Sequence, residues 1–278
     1  MGQFGCAGDH DEMFKMNTWI IHALNPDRGH PKSMKLAEEI LSHTAHRAWP
    51  LPSGPWVMEQ GWYDLLFAHW EAPWSQIRGM VPEPLEVDTY NGSPWVSITP
   101  FRLTMRPRGI PAIGRVWSFA EMNFRTYVRY QDKPGIFFFS LDAASLLAVS
   151  GARVLYRLPY FHARMEISRE GSRFKYISRR MGRQEMFAVE YEPVSETFNA
   201  APGTLSHWLA ERYCLYVADG RRAWRAEIHH APWPLQNARA EIARNTLPEG
   251  IGFSLGAHPD LVQYAAREEV LIWPLRPA

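Results

Sequence analysis

The stretch Trp117 to Tyr130 constrains this chain most, because its side chains sort cleanly onto two faces. Alternate residues of a β-strand point to opposite sides. Read from Val116, one face carries Ser118, Ala120, Met122, Phe124, Thr126, Val128 and Tyr130 and is largely apolar. The other carries Trp117, Phe119, Glu121, Asn123, Arg125, Tyr127 and Arg129. Each two-residue step advances about 7 Å, so Glu121, Asn123, Arg125 and Tyr127 form one ordered row. Large aromatics beside a few convergent polar groups are the composition of a ligand pocket. A Glu121–Arg125 ion pair that merely bridges neighbouring strands explains the same residues, and both readings stay open.

The chain continues into Gln131 to Gly135, which has turn chemistry, and then into the apolar run Gly135 to Leu141. An antiparallel hairpin with a longer loop is expected. Ala143 to Val149 reads as a short helix, with Asp142 or Ser140 as its cap and Gly151 as its end.

Several segments in order resemble the YqjF-like family of uncharacterised proteins, from about Trp56 to about Pro274. They are WYDLLFAHW, NFRTYV, GIFFFSLDAASLLAV and LPY, then LAERYCLY and IHHAPWPL. That family is distantly similar to the acetoacetate decarboxylase-like superfamily. The resemblance implies a curved antiparallel sheet or barrel around a central cavity, mainly β (α+β) with a few short helices. It implies that Glu121 matches the active-site glutamate and Arg153 the arginine. It also places Tyr160 and Phe161 where the decarboxylases carry two lysines. A phenol forms no iminium, so the Schiff-base mechanism is expected to be absent. The lysines are Lys15, Lys32, Lys35, Lys133 and Lys175, and none falls in the pocket segments.

The flanking chain adds short elements. Ser33 to Arg47 reads as a helix with Ser33 as cap. Residues 1–55 are taken as an N-terminal extension carrying that helix, and 56–278 as one β domain. Strands are expected at 56–70, 85–90 and 95–105, with Asn91-Gly92 as a hairpin turn. Two more span His162 to Arg183, and further strands lie at 186–191, 213–217, 222–230 and 264–273. Helices are expected at 203–212, capped by Thr204, and at 237–245.

His69 is either a hydrogen-bonded core residue or a pocket acid/base group. His229, His230 and Trp233 make a second polar–aromatic cluster, from which His229 is taken as a ligand contact. Adjacent strand residues face opposite ways, so the two histidines do not share a metal, and no metal or cofactor is expected. The basic residues of 162–183 are interrupted by Glu166 and Glu170, and net charge is +1. A solvated hairpin face accounts for them better than nucleic acid. The two cysteines, Cys6 and Cys214, exclude a disulfide scaffold. No apolar run approaches the roughly 20 residues of a membrane helix, so a cytoplasmic protein without membrane attachment is expected, with a homo-oligomer left open.

The leading functional reading is a pocket for a small carboxylate or keto-type ligand. Glu121 and Tyr160 would be catalytic there, and Arg125, Arg153, Trp117, Phe119, Tyr127, His69 and His229 would contact the ligand. The alternatives are a non-catalytic binding or sensing protein with the same cavity, and a structural subunit whose cavity is filled by Trp117, Phe119 and Tyr160.

Overall fold

The computed structural model describes residues 31–109 and 117–278. The expected extension before residue 31, Cys6, Lys15 and Val116 lie outside the described residues. The elements run α1 (Pro31–Ser42), β1 (Met58–Glu71), α2 (Trp74–Met80), β2 (Glu86–Val87), β3 (Trp95–Pro107) and β4 (Trp117–Tyr130). Then come β5 (Lys133–Ala143), α3 (Leu146–Leu155), β6 (Tyr160–Glu170), β7 (Arg173–Arg180), β8 (Met186–Pro193) and α4 (Leu205–Ala210). The last are β9 (Cys214–Ala218), β10 (Ala223–His229), β11 (Leu235–Asn245), β12 (Leu261–Ile272) and β13 (Arg276–Pro277).

The strands form one large curved sheet with few helices. Its order is β13-β10-β9-β5-β6-β7-β8-β11-β12-β1-β3-β4-β2, with further pairings β4–β5 and β10–β12. The ladder therefore returns on itself through β4 and β5. It is mixed rather than wholly antiparallel, because β5 pairs in parallel with both β6 and β9. Gly135 permits the β5–β9 approach: a Cβ there would sit 2.7 Å from the Cys214 sulfur.

β1, β3 and β4 each contain a run buried on both sides, as at Leu65–Trp70, Trp95–Phe101 and Glu121–Val128. Met122, Phe124 and Val128 of β4 join Phe174, Tyr176, Phe187 and Val189 in a dry core. Burying such side chains stabilises the fold by about 1.5–3 kcal/mol each. The opposite face of the same three strands lines a cavity. On the outside of β6, β7, β8 and β11, basic residues meet acidic ones, as in Arg173–Glu190, Lys175–Glu190 and Arg239–Glu192.

Several local expectations need correction. Residues 237–245 are strand β11, not a helix. Ala238, Ala240 and Ile242 pack on the core while Arg239 and Glu241 face out, and pairing to β8 overrides helix propensity. The β4–β5 hairpin turns on two residues, Gln131 and Asp132, both with positive φ (48° and 64°). That tight turn matches strand twist, so Lys133 and Pro134 join β5. The cap of α3 is Ser145, whose side chain accepts from the Ala148 amide at 3.3 Å. Asp142 and Ser140 bond Arg180 instead. Gly151 lies inside α3, which runs on to Leu155. α1 begins two residues before Ser33 and stops at Ser42. It packs through Ala37 and Ile40 on Leu271 and Trp273. Thr204 does cap α4, accepting from the His207 amide. No described helix is long and apolar enough to cross a membrane.

Candidate functional site

Strand alternation builds the cavity. β1 contributes Trp62, Leu65 and Phe67, β3 contributes Thr99 and Phe101, and β4 contributes Glu121, Asn123 and Arg125. Pairing sets Ser97 opposite Arg125, Thr99 opposite Asn123 and Phe101 opposite Glu121, so the polar row is held in register across two strands. Ile136 and Phe138 of β5, Arg212 after α4, and His230 and Trp233 after β10 close the space. It offers about 60 Å³ to water-sized molecules. One water needs about 10–15 Å³ on that measure, so the room suits a ligand of a few heavy atoms. A shallower hollow beside α1, over Leu41, Arg47 and Trp49, shares none of these residues.

At one end, Glu121 is buried and accepts a hydrogen bond from the Tyr160 hydroxyl at 2.9 Å. Burial raises the Glu121 carboxyl to about 7, against the smaller opposing pull of the Tyr160 bond. Burial, with Glu121 beside it, pushes Tyr160 well above the usual phenol range, so it remains a donor. The Glu121 carbonyl also accepts from Tyr176 at 2.7 Å.

At the other end lies Arg125, 9% exposed. Its Nε has no hydrogen-bond partner, and among the described residues no carboxylate lies within 4.0 Å. Its guanidinium sits over the Phe67 ring at 5.7 Å. Glu121 and Arg125 do not form the ion pair that the sequence left open. Thr99 Oγ1, Asn123 Oδ1 and Arg212 Nη2 are also buried and unpartnered. Seven described side-chain atoms are orphaned in this way, and four of them belong to residues of this one cavity. Buried polar atoms are normally satisfied, so their concentration sets this cavity apart from the rest of the described interior.

Of the residues singled out from sequence, Glu121, Arg125 and Tyr160 come together. Phe119 packs beside the cavity walls. Tyr127 and His69 lie behind it in a buried chain. The His69 Nδ1 is 2.6 Å from Ser97 Oγ, which is 2.7 Å from the Tyr127 hydroxyl. Burial and the neighbouring Arg125 hold the His69 imidazole well below its usual range, so it is neutral.

Trp117, Arg153 and His229 are not brought in. Trp117 is 45% exposed, so the aromatic plug of Trp117, Phe119 and Tyr160 is not formed. Arg153 is exposed and donates through Nε to the Tyr160 carbonyl at 2.8 Å, so it holds the backbone next to the site. His229 turns to α1, with Nε2 2.9 Å from the Ile40 carbonyl. Its neighbour His230 lines the cavity instead, held neutral because burial drops it to about 4. Parity along β10 separates the pair but does not say which face is the cavity. Thr99 and Arg212 carried no sequence signal, since only pairing and the end of α4 deliver them.

Comparison with known proteins agrees with the resemblance. The pattern of the DUF2071 family, described as an uncharacterized conserved protein, matches residues 59–269. The chain is 47% identical over 228 residues to uncharacterized protein YqjF of Bacillus subtilis (strain 168), which covers 81% of this chain and 94% of that one. Among solved structures, the acetoacetate decarboxylase from Legionella pneumophila superposes with a TM-score of 0.56 at 12% identity, covering 92% of this chain and 97% of that chain. The enduracididine biosynthesis enzyme MppR complexed with pyruvate gives 0.55 at 12% identity, covering 84% and 94%. At that identity the likeness is one of fold.

Proposed function

This chain belongs to the DUF2071 family, and we propose that it binds a small carboxylate or keto acid in the cavity and moves a proton on it without a Schiff base. Arg125 carries this reading, with its Nε unpartnered and, among the described residues, no carboxylate within 4.0 Å. A buried cation without a counter-ion is costly, and a ligand carboxylate supplies both charge and acceptors. Glu121 at the far end removes a proton from the carbon next to the ligand carbonyl. The electron pair moves onto the carbonyl oxygen as an enolate, and Glu121 returns the proton to carbon. No lysine among the described side chains lines the cavity, since Lys133 lies by Glu227 and Lys175 by Glu190. The resemblance sets Tyr160 where the decarboxylases carry lysine. The pyruvate complex of the structural neighbour MppR suggests the first ligand to test.

The test combines binding and exchange. Acetate, pyruvate and acetoacetate are expected to raise the melting temperature of the wild type by mass action, and Arg125→Ala to lose the response. In D2O, pyruvate is expected to exchange its methyl protons faster with wild type than with Glu121→Gln. No response to any of the three acids overturns the reading. Binding without exchange favours a second reading, a binding or sensing protein, which the loss of the lysine nucleophile supports.

A further inference from the structure

We propose that Arg212 is a second anion-binding residue of the cavity, and that Arg125 and Arg212 together select a singly charged carboxylate. This rests on the carboxylate reading above and deepens it. Arg212 is held on three sides. Its Nε donates to the Trp208 carbonyl at 2.7 Å, its Nη1 donates to Asp88 at 2.6 Å, and its plane lies over the Trp208 ring at 4.2 Å. Only Nη2 is left, buried and without a partner, on a residue that lines the cavity. A guanidinium is a planar fork, so fixing Nε and Nη1 fixes where Nη2 points.

Arg212 approaches from the Arg125 end. It lies 5.1 Å over Tyr127, two residues along the same face of β4. The cavity is therefore polarised. Two guanidinium groups stand at one end, Glu121 and Tyr160 at the other, and Thr99 and Asn123 between them.

The buried charges give the ligand's valence. Arg125 and Arg212 are cations, and Asp88, which accepts from Arg212, is an anion. Asp88 also meets Arg129, but that side chain is 44% exposed and solvated. His69 and His230 are neutral, and Glu211 faces Tyr213 and Trp233. Below neutrality Glu121 keeps its proton. At the arginine end Asp88 offsets one of the two guanidinium groups, which leaves one positive charge there, and one carboxylate cancels it. A second carboxylate would be buried without a counter-ion, which is strongly unfavourable.

The experiment is calorimetric titration at pH 6 with pyruvate and with oxalate, acids of similar size that are fully a monoanion and fully a dianion at that pH. Wild type is expected to bind pyruvate at least about tenfold more tightly than oxalate. Arg212→Lys is expected to weaken pyruvate at least about tenfold, since a charge-assisted hydrogen bond is worth roughly that factor. Asp88→Asn is a second variant that retains the Arg212 guanidinium and adds one net positive charge, so it is expected to shift the preference toward oxalate. Pyruvate affinity unchanged in Arg212→Lys, or an unchanged preference in a folded Asp88→Asn, overturns the inference. If Arg125→Lys abolishes binding while Arg212→Lys does not affect it, the carboxylate reading stands and the second arginine falls. If wild type binds neither acid, both fall.

Discussion

Arg180 and Arg125 are both buried on the sheet, 4% and 9% exposed, yet their surroundings are opposite. Arg180 donates to Asp142 at 2.7 Å and to Ser140 at 2.6 Å, approaches Glu185 at 3.5 Å and lies 4.1 Å over Phe161. The second Asp142 oxygen accepts from Ser178. The Asp142 charge is compensated and its network is closed. Arg125 meets an aromatic ring and, among the described residues, no carboxylate. The first arrangement belongs to the scaffold. The second leaves a buried charge unanswered by any described carboxylate, which is costly for a scaffold. Burial alone therefore does not distinguish the two arginines, whereas completeness of partners does.

Three measurements press on this contrast. The largest effect is expected at the closed network. Arg180→Met leaves the Asp142 carboxylate buried alone and should lower stability by about 3–5 kcal/mol. Adding Asp142→Asn should restore part of that loss in chemical denaturation. A loss below about 1 kcal/mol would erase the distinction.

Next is the pH dependence of the open site. The Glu121 carboxyl is raised from 4.5 to about 7 in the folded chain, so the folded state holds the proton more tightly. The associated stability is complete below pH 4.5, falls as pH rises to about 7 and is level above it. At about 1.36 kcal/mol per pH unit, this spans roughly 3 kcal/mol. Glu121→Gln should remove that component, so the stability difference between variant and wild type should grow from pH 4.5 to 7. A constant difference across that range would mean that Glu121 is not desolvated.

The smallest effect is expected at Arg125. Without ligand, Arg125→Met should raise stability by about 1 kcal/mol, because it removes a buried unpaired cation. A loss of similar size to that of Arg180→Met would show Arg125 to be part of the scaffold.

Much of this contrast is readable in the sequence, and the unreadable parts have physical reasons. The alternation in β4 puts Glu121, Asn123 and Arg125 on one face because a strand's parity is local. The expected curved sheet with few helices is present, as many short strands suggested. The Asp142–Arg180 pair is not readable, since it joins β5 to β7 across 38 residues. Asp142 looks like a helix cap only until that partner is known. Residues 237–245 combine helix-favouring Ala, Arg and Glu with a period-two pattern at Ala238, Ala240 and Ile242, and the neighbouring strands decide between them. Arg212 is invisible for the same reason, because its importance lies in one nitrogen left over after Trp208 and Asp88 have taken the others.

The position of β4 has a consequence for how such a protein changes over time. Hydrogen-bonded to β3 on one side and β5 on the other, β4 has no free edge over Glu121 to Arg125. The spacing between the acid and the cation is then a fixed ruler, with graduations set by the peptide repeat. Insertion or deletion of a residue would turn every later side chain to the wrong interior. A lineage that reshapes this cavity must therefore exchange the side chains at the marks and leave the marks where they are.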